Sequence, residues 1–195
     1  MSAAAVEHSR DEPTLLEVAD RLAQELVGYR VEVLGGEITV SPSADSGHAR
    51  SLTHLMLALA PLHGETSEVF QALGIMLPDG PSDFAIPDLC VVEAEIEKHH
   101  IKSNGYDPVA FRLVVEITSS NLNDDLTRKP IAYARAGVPV HLVADHKNRR
   151  VLVMTDPVDG QYRVRAVHRP GESFALPEPV GKPLKLDVDK ILGHN

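Results

Sequence analysis

One cysteine, no tryptophan and only eight other aromatic residues, four Phe and four Tyr, occur in 195 residues. A lone Cys90 excludes an internal disulfide and any zinc cluster built on cysteine. Within the apolar run Leu89-Cys90-Val91-Val92 it reads as small buried filler rather than a nucleophile. No apolar run approaches the ~20 residues that a membrane-spanning helix needs, so no membrane association is expected. Basic residues are in deficit: the formal charge is −9. That balance argues against a broad electrostatic grip on a nucleic-acid backbone, while leaving open a local basic groove or a bound cation. The ten histidines are scattered without metal-ligand spacing, and neighbours such as His99 and His100 seldom share a face. Residues 1–8 lack the basic region and apolar core of a secretory signal, and the expectation is a soluble, cytoplasmic protein. No repeat, low-complexity tract or linker to a second domain is visible.

What remains is an ordinary globular composition, 43% hydrophobic and 24% charged. The length suits one domain, so the expected organisation is a flexible arm over 1–13 followed by a single domain over 14–195. Leu15, Val18, Leu22 and Leu26 follow helical spacing after Thr14, an N-capping residue. Two short strands over 30–34 and 37–40 flank Gly35-Gly36, a hairpin signal. A second helix is predicted over 48–63 and strands over 68–76, 87–92 and 111–118, with a polar loop or short helix over 94–109. After the cap-rich stretch 119–125, the sequence predicts a short helix over 126–137, with Pro130 in its first turn and Gly137 at its end. Strands over 139–145, 149–155 and 162–168 follow, the last two joined through 156–160, and a short helix or turn lies over 188–192. The order implies an α/β or α+β domain, a mixed sheet with helices on its faces.

Two of the apolar runs each carry a carboxylate, Asp88 and Glu116. A charge inside a sheet is costly unless compensated. Each acid could cap a neighbour or form an ion pair, Glu116 with Lys129 or Arg128 and Asp125 with Lys129 four residues on. Alternatively, Asp88 and Glu116 together hold a divalent cation, with Lys129 steadying charge as a water attacks phosphorus. Glu32, in the hairpin strand, is either solvent-exposed or a further acid of the same site.

Pro87-Asp88, Val114-Val115-Glu116-Ile117-Thr118-Ser119, Asp125-Leu126-Thr127-Arg128-Lys129 and Tyr133-Ala134-Arg135-Ala136-Gly137-Val138-Pro139 resemble, in order and spacing, the Uma2 family of bacterial endonucleases, within the PD-(D/E)XK superfamily. Val31–Ile38, Ser41-Pro42 and His48 extend the likeness, which spans roughly 30–155 with a looser match to about 190. The resemblance implies a restriction-endonuclease-like mixed β-sheet core flanked by α-helices, and a magnesium-dependent (or manganese-dependent) endodeoxyribonuclease acting on DNA. By position it makes Asp88 and Glu116 metal ligands, Lys129 the catalytic lysine, Glu32 an additional acid and His48 a substrate contact. The superfamily motif places lysine two residues after the second acid, where this chain has Thr118; in the resembled family the lysine is displaced to the next helix, as Lys129 is. The aromatic pair common in the strand after Gly137-Val138-Pro139 is replaced by His141-Leu142. A homodimer is compatible with this size and fold. The competing reading is a catalytically silent module of the same fold, used for binding or dimerisation.

Overall fold

A computed structural model describes residues 12–118 and 124–193. The expected arm, up to residue 11, and the stretch 119–123 lie outside the described residues. Helix α1 (Leu15–Glu25) starts at Thr14, whose hydroxyl accepts from the Glu17 amide while the Glu17 carboxylate accepts from the Thr14 amide. This reciprocal pairing satisfies two amides that the helix itself cannot. Strands β1 (Arg30–Leu34) and β2 (Glu37–Ser41) form the expected hairpin, with Gly35 and Gly36 at φ of 58° and 73°. Positive φ at both turn positions matches the strand twist, and glycine adopts it without strain.

Helix α2 (Ser46–Leu59) is capped by Asp45, which accepts from the His48 amide. The single strand expected over 68–76 is instead two, β3 (Ser67–Gln71) and β4 (Gly74–Met76). Ala72 between them has φ of 52°, and the chain there passes from one sheet into another. Strands β5 (Phe84–Ala85) and β6 (Leu89–Glu93) follow. The polar stretch 94–109 contains a 3-10 turn and a small hairpin, β7 (His100–Lys102) and β8 (Gly105–Tyr106), which its composition did not signal. Strand β9 (Phe111–Ile117) leads, beyond 119–123, to a wide π turn at Asp124–Arg128 that runs into helix α3 (Lys129–Arg135). Pro130 is in the first turn of α3, where its missing amide costs nothing. The helix closes when Val138 N–H donates to Tyr133 O and Gly137 N–H to Ala134 O, with Gly137 at φ of 76°.

Strands β10 (Val140–Asp145), β11 (Arg150–Val158) and β12 (Gln161–His168) form a meander. Strand β11 runs through Asp156 and Pro157, so the turn is shorter than expected. The tail adds a hairpin, β13 (Ser173–Ala175) with β14 (Lys185–Asp187), and the expected short helix α4 (Val188–Leu192).

The fold is a mixed α+β arrangement, with two six-stranded sheets where the sequence suggested one: β2-β1-β5-β4-β8-β7 and β12-β11-β10-β9-β6-β3. In the second sheet β9 and β10 are parallel, a pairing that needs a crossover, and α3 lies in it. Side chains alternate along these strands. Leu113, Val115 and Ile117 pack with Leu55 and Leu59 of α2 and Ile191 of α4. Val114 and its neighbours pack with Ala132 and Tyr133 of α3 and with Leu34 and Ile75 of the first sheet. Odd and even positions of β9 therefore belong to different cores, and Glu116 shares the side of Val114. Among the described residues no helix is long and apolar enough to cross a membrane.

His141 is buried at the centre of the second sheet, with neither ring nitrogen hydrogen-bonded among the described residues. Its ring meets Tyr133 edge-on at 5.0 Å and lies 6.0 Å from Tyr162. Burial, reinforced by the charges of Lys129 and Arg165, pushes its pKa from 6.5 down to about 3. Below pH 6.5 the unfolded chain takes a proton that the folded one refuses, so stability falls as pH drops toward about 3. We expect His141→Phe to fold with at least wild-type stability at pH 7. It should also lack an acid-dependent loss of roughly a few kcal/mol. Urea unfolding of both proteins at neutral and acidic pH checks this, and parallel pH dependences would refute it.

Candidate active site

The antiparallel register of β6 and β9 pairs Leu89 with Val115 and Cys90 with Val114. Extended by one residue, it sets Asp88 opposite Glu116. Like charges opposite each other are destabilising, more so when buried, and these two are 2% and 1% exposed. Each is compensated from a different direction.

On Asp88, Oδ1 accepts from Arg30 Nη2 at 2.6 Å, and Oδ2 accepts from the Ile117 amide at 2.7 Å and faces His48 Nε2 at 3.1 Å. Burial pushes this carboxyl up, but the His48 contact, the Arg30 charge and the amide together hold it at about 2. Glu116 Oε1 lies 3.0 Å from Lys129 Nζ and accepts from the Tyr133 hydroxyl at 2.7 Å. Lys129 Nζ also lies 3.1 Å from Glu32 Oε1 and 3.7 Å from Asp125 Oδ1. Glu32 Oε1 is held in turn by the Ile86 amide at 2.6 Å. The four side chains predicted to form the site, Glu32, Asp88, Glu116 and Lys129, are therefore brought together and all are at most 3% exposed.

The acids outnumber the cations. Glu32, Asp88, Glu116 and Asp125 face Arg30 and Lys129, with His48 beside Asp88. Burial opposes the charge on Lys129, but Glu116, Glu32 and Asp125 outweigh it, so its pKa is raised and it stays cationic. The surplus falls on the other carboxyls. Glu116 is pushed up to about 8, first by burial and then, against the pull of Lys129, by Asp88, Asp125 and Glu32. Asp125 rises to about 6, again chiefly by burial. These groups line one cavity of about 330 Å³, together with Tyr29, Pro42 and Asp124.

The local folding explains each placement. Arg30 and Glu32 are two apart on β1, so both leave the same face of the strand. The π turn makes Asp125 and Lys129 neighbours and starts α3 over the ends of β6 and β9. Thr118, at the position where the plain superfamily motif has lysine, is structural: its hydroxyl donates to Ala144 O at 3.2 Å and accepts from the His146 amide at 3.1 Å. Of the alternatives left open, solvent exposure of Glu32 and a surface Asp125–Lys129 pair do not hold: all three side chains are buried, and Lys129 contacts both acids. Arg30 and Tyr133 were not among the expected site residues. The spacing of Arg30 to Glu32, and of Tyr133 to Lys129 on one helix face, are the signals that could have found them. His48 is buried against Asp88, and its Nδ1 has no partner among the described residues.

All four acids supply hard oxygen, as magnesium and manganese require. Among the described residues no three His, Cys, Asp or Glu side chains form a ready ligand set. Magnesium, however, commonly takes one or two carboxylates and fills its remaining positions with water and substrate phosphate. Asp88 and Glu116 are two such carboxylates in one cavity.

Among curated proteins none matches the chain. A crystal structure of a "putative nuclease belonging to DUF820" from Anabaena variabilis superposes with a TM-score of 0.63 at 17% identity, over 83% of this chain and 89% of that one. At that identity the likeness speaks to the fold. The model of the Uma2 family, described as "Putative restriction endonuclease", matches residues 17–189, nearly the whole length, and the chain belongs to that family.

Proposed function

We propose that the protein is a divalent-metal-dependent endonuclease that hydrolyses phosphodiester bonds of DNA. One observation carries the reading: Asp88, just before β6, and Glu116, on β9, line the same cavity, with Lys129 against Glu116 and more acids than cations around them. Asp88 and Glu116 would hold Mg²⁺ or Mn²⁺. When bound, the ion supplies Lewis-acid stabilisation of phosphoryl charge and acidifies a water. Lys129, cationic and fixed, stabilises negative charge that develops on the phosphate. Tyr133 and Glu32 hold Glu116 and Lys129 in position, and Arg30 at the cavity wall attracts the phosphodiester.

A second reading rests on a specific observation too. Both Asp88 oxygens are already engaged by protein groups, as expected for a closed ion-pair network in a silent module of the same fold. Metal binding separates the two. Calorimetric titration with Mn²⁺ should show a site in the wild type that is lost in Asp88→Ala, and DNA cleavage in Mg²⁺ should disappear with it. Folded wild type that binds neither ion would establish the silent module.

Lys129 can be separated from the ligands. Lys129→Met leaves three buried acids without their cation, and the loss should be about 3–5 kcal/mol in denaturant unfolding. Its Mn²⁺ affinity should equal or exceed that of the wild type, because the ion then answers a larger charge deficit, while cleavage is lost. A folded Lys129→Met protein that cleaves at the wild-type rate would remove Lys129 from the reaction.

A further inference from the structure

Strand β1 is a partition. Arg30 and Glu32 face the acidic cavity, whereas Val31 and Val33 face α1. On that second side lies another cavity, of about 190 Å³, walled by Leu16, Val31, Met76, Phe84 and Ile86. Tyr29 and Arg30 line both cavities, so the two adjoin across the first residue of the strand.

Its chemistry differs from that of the acidic site. The walls are largely apolar and include two aromatic rings, Phe84 and Tyr29, and the polar groups are Asp20, Lys102, Ser103 and Asn104, with Arg30 shared with the acidic site. Asp20 Oδ2 accepts from Ser103 Oγ at 2.6 Å, and Asn104 Nδ2 donates to Ala72 O at 3.2 Å, which fixes the direction of both side chains. The Asn104 side-chain oxygen and the second Asp20 oxygen are acceptors not used in those bonds. Apolar walls with a few convergent polar groups are the make-up of a small-ligand site, and the volume is below the roughly 300–1,000 Å³ of sites for drug-sized molecules. One flat ring system with polar edges suits it.

We propose that this cavity receives the base of an unpaired nucleotide whose phosphate lies in the acidic site, with Tyr29, 50% exposed at the lip, as a stacking surface. The substrate is then a single-stranded or locally opened nucleic acid rather than an intact duplex. This rests on the nuclease reading and adds a substrate class to it. A base inside a duplex is stacked on both faces and cannot enter a pocket without being extruded. Stacking on aromatic and apolar side chains also provides sequence-tolerant attraction that does not depend on net positive charge. A chain with a formal charge of −9 has little backbone attraction to draw on, so an apolar base site beside the phosphate site answers the deficit.

Ala23 lies exposed on α1 at the wall of this cavity, and Ala23→Trp would fill it without removing a core side chain. The probes are labelled oligonucleotides: a single strand, its duplex, and single strands with one abasic position walked along them. Binding is read by fluorescence anisotropy in EDTA and again in calcium. The wild type should prefer the single strand to the duplex by about ten-fold or more and lose about ten-fold at one abasic position. Ala23→Trp should bind intact and abasic strands equally, with unchanged thermal unfolding. Should the tryptophan not be accommodated, Tyr29→Ala, at a half-exposed position, must weaken the same discrimination. Wild type that binds strands but ignores the abasic position or prefers duplex, or discrimination that survives Ala23→Trp, overturns the pocket assignment and leaves the nuclease reading standing. An Ala23→Trp protein altered in oligomeric state but not in strand binding marks the cavity as a self-association surface and overturns the assignment likewise. Wild type that binds no nucleic acid overturns both readings.

Discussion

Two carboxylates opposite each other on neighbouring buried strands are the constraint around which this protein is organised. Asp88 and Glu116 repel across the β6–β9 register, and the low dielectric around them magnifies the cost. The fold answers with cations and donors from three other elements: Arg30 from β1, His48 from α2, and Lys129 with Tyr133 from α3. Each of those elements also contributes to a hydrophobic core, so the charges are held by packing rather than by flexible side chains alone. The first sheet is needed because it brings Glu32 and Arg30 over the second, and the wide turn at Asp124–Arg128 is needed because it sets the start of α3 above the strand ends.

The compensation is incomplete. Replacing a buried ion-pair network by well-packed apolar residues commonly costs little. Here four acids face two permanent cations, and Glu116 is driven up to about 8, first by its burial and then by the neighbouring acids. Strained electrostatics of this kind concentrate where ligands bind. We propose a divalent cation as the missing charge, since every acid of the cluster offers hard oxygen. Beside the site, across β1, lies the apolar cavity under α1; in the proposed reading one strand separates a place for phosphate from a place for a base.

Much of this was legible in the chain. The acids in apolar runs, the hairpin glycines, Pro130 in the first turn of α3 and Gly137 at its end follow from local rules of charge burial and backbone geometry, and the structure holds each of them. The resemblance set Lys129 and Glu32 beside Asp88 and Glu116, and the structure brings the four side chains together. What local reasoning missed has a common cause. Ala72 looks like any residue within a strand, yet its positive φ divides two sheets; the polar stretch 94–109 conceals a hairpin whose partner, β4, lies some thirty residues earlier.

The sequence by itself determined which residues are acidic, which segments alternate or turn, and which side of each strand a residue occupies, because those depend on neighbours a few positions away. Tertiary structure alone decided that Glu32 is buried, that Asp125 and Lys129 pair inside rather than on the surface, and that Arg30 and His48 share Asp88. These outcomes depend on contacts between segments tens of residues apart, such as Arg30 and Asp88. No periodicity encodes such contacts; they arise only when one sheet packs over another and water is excluded from the space between them.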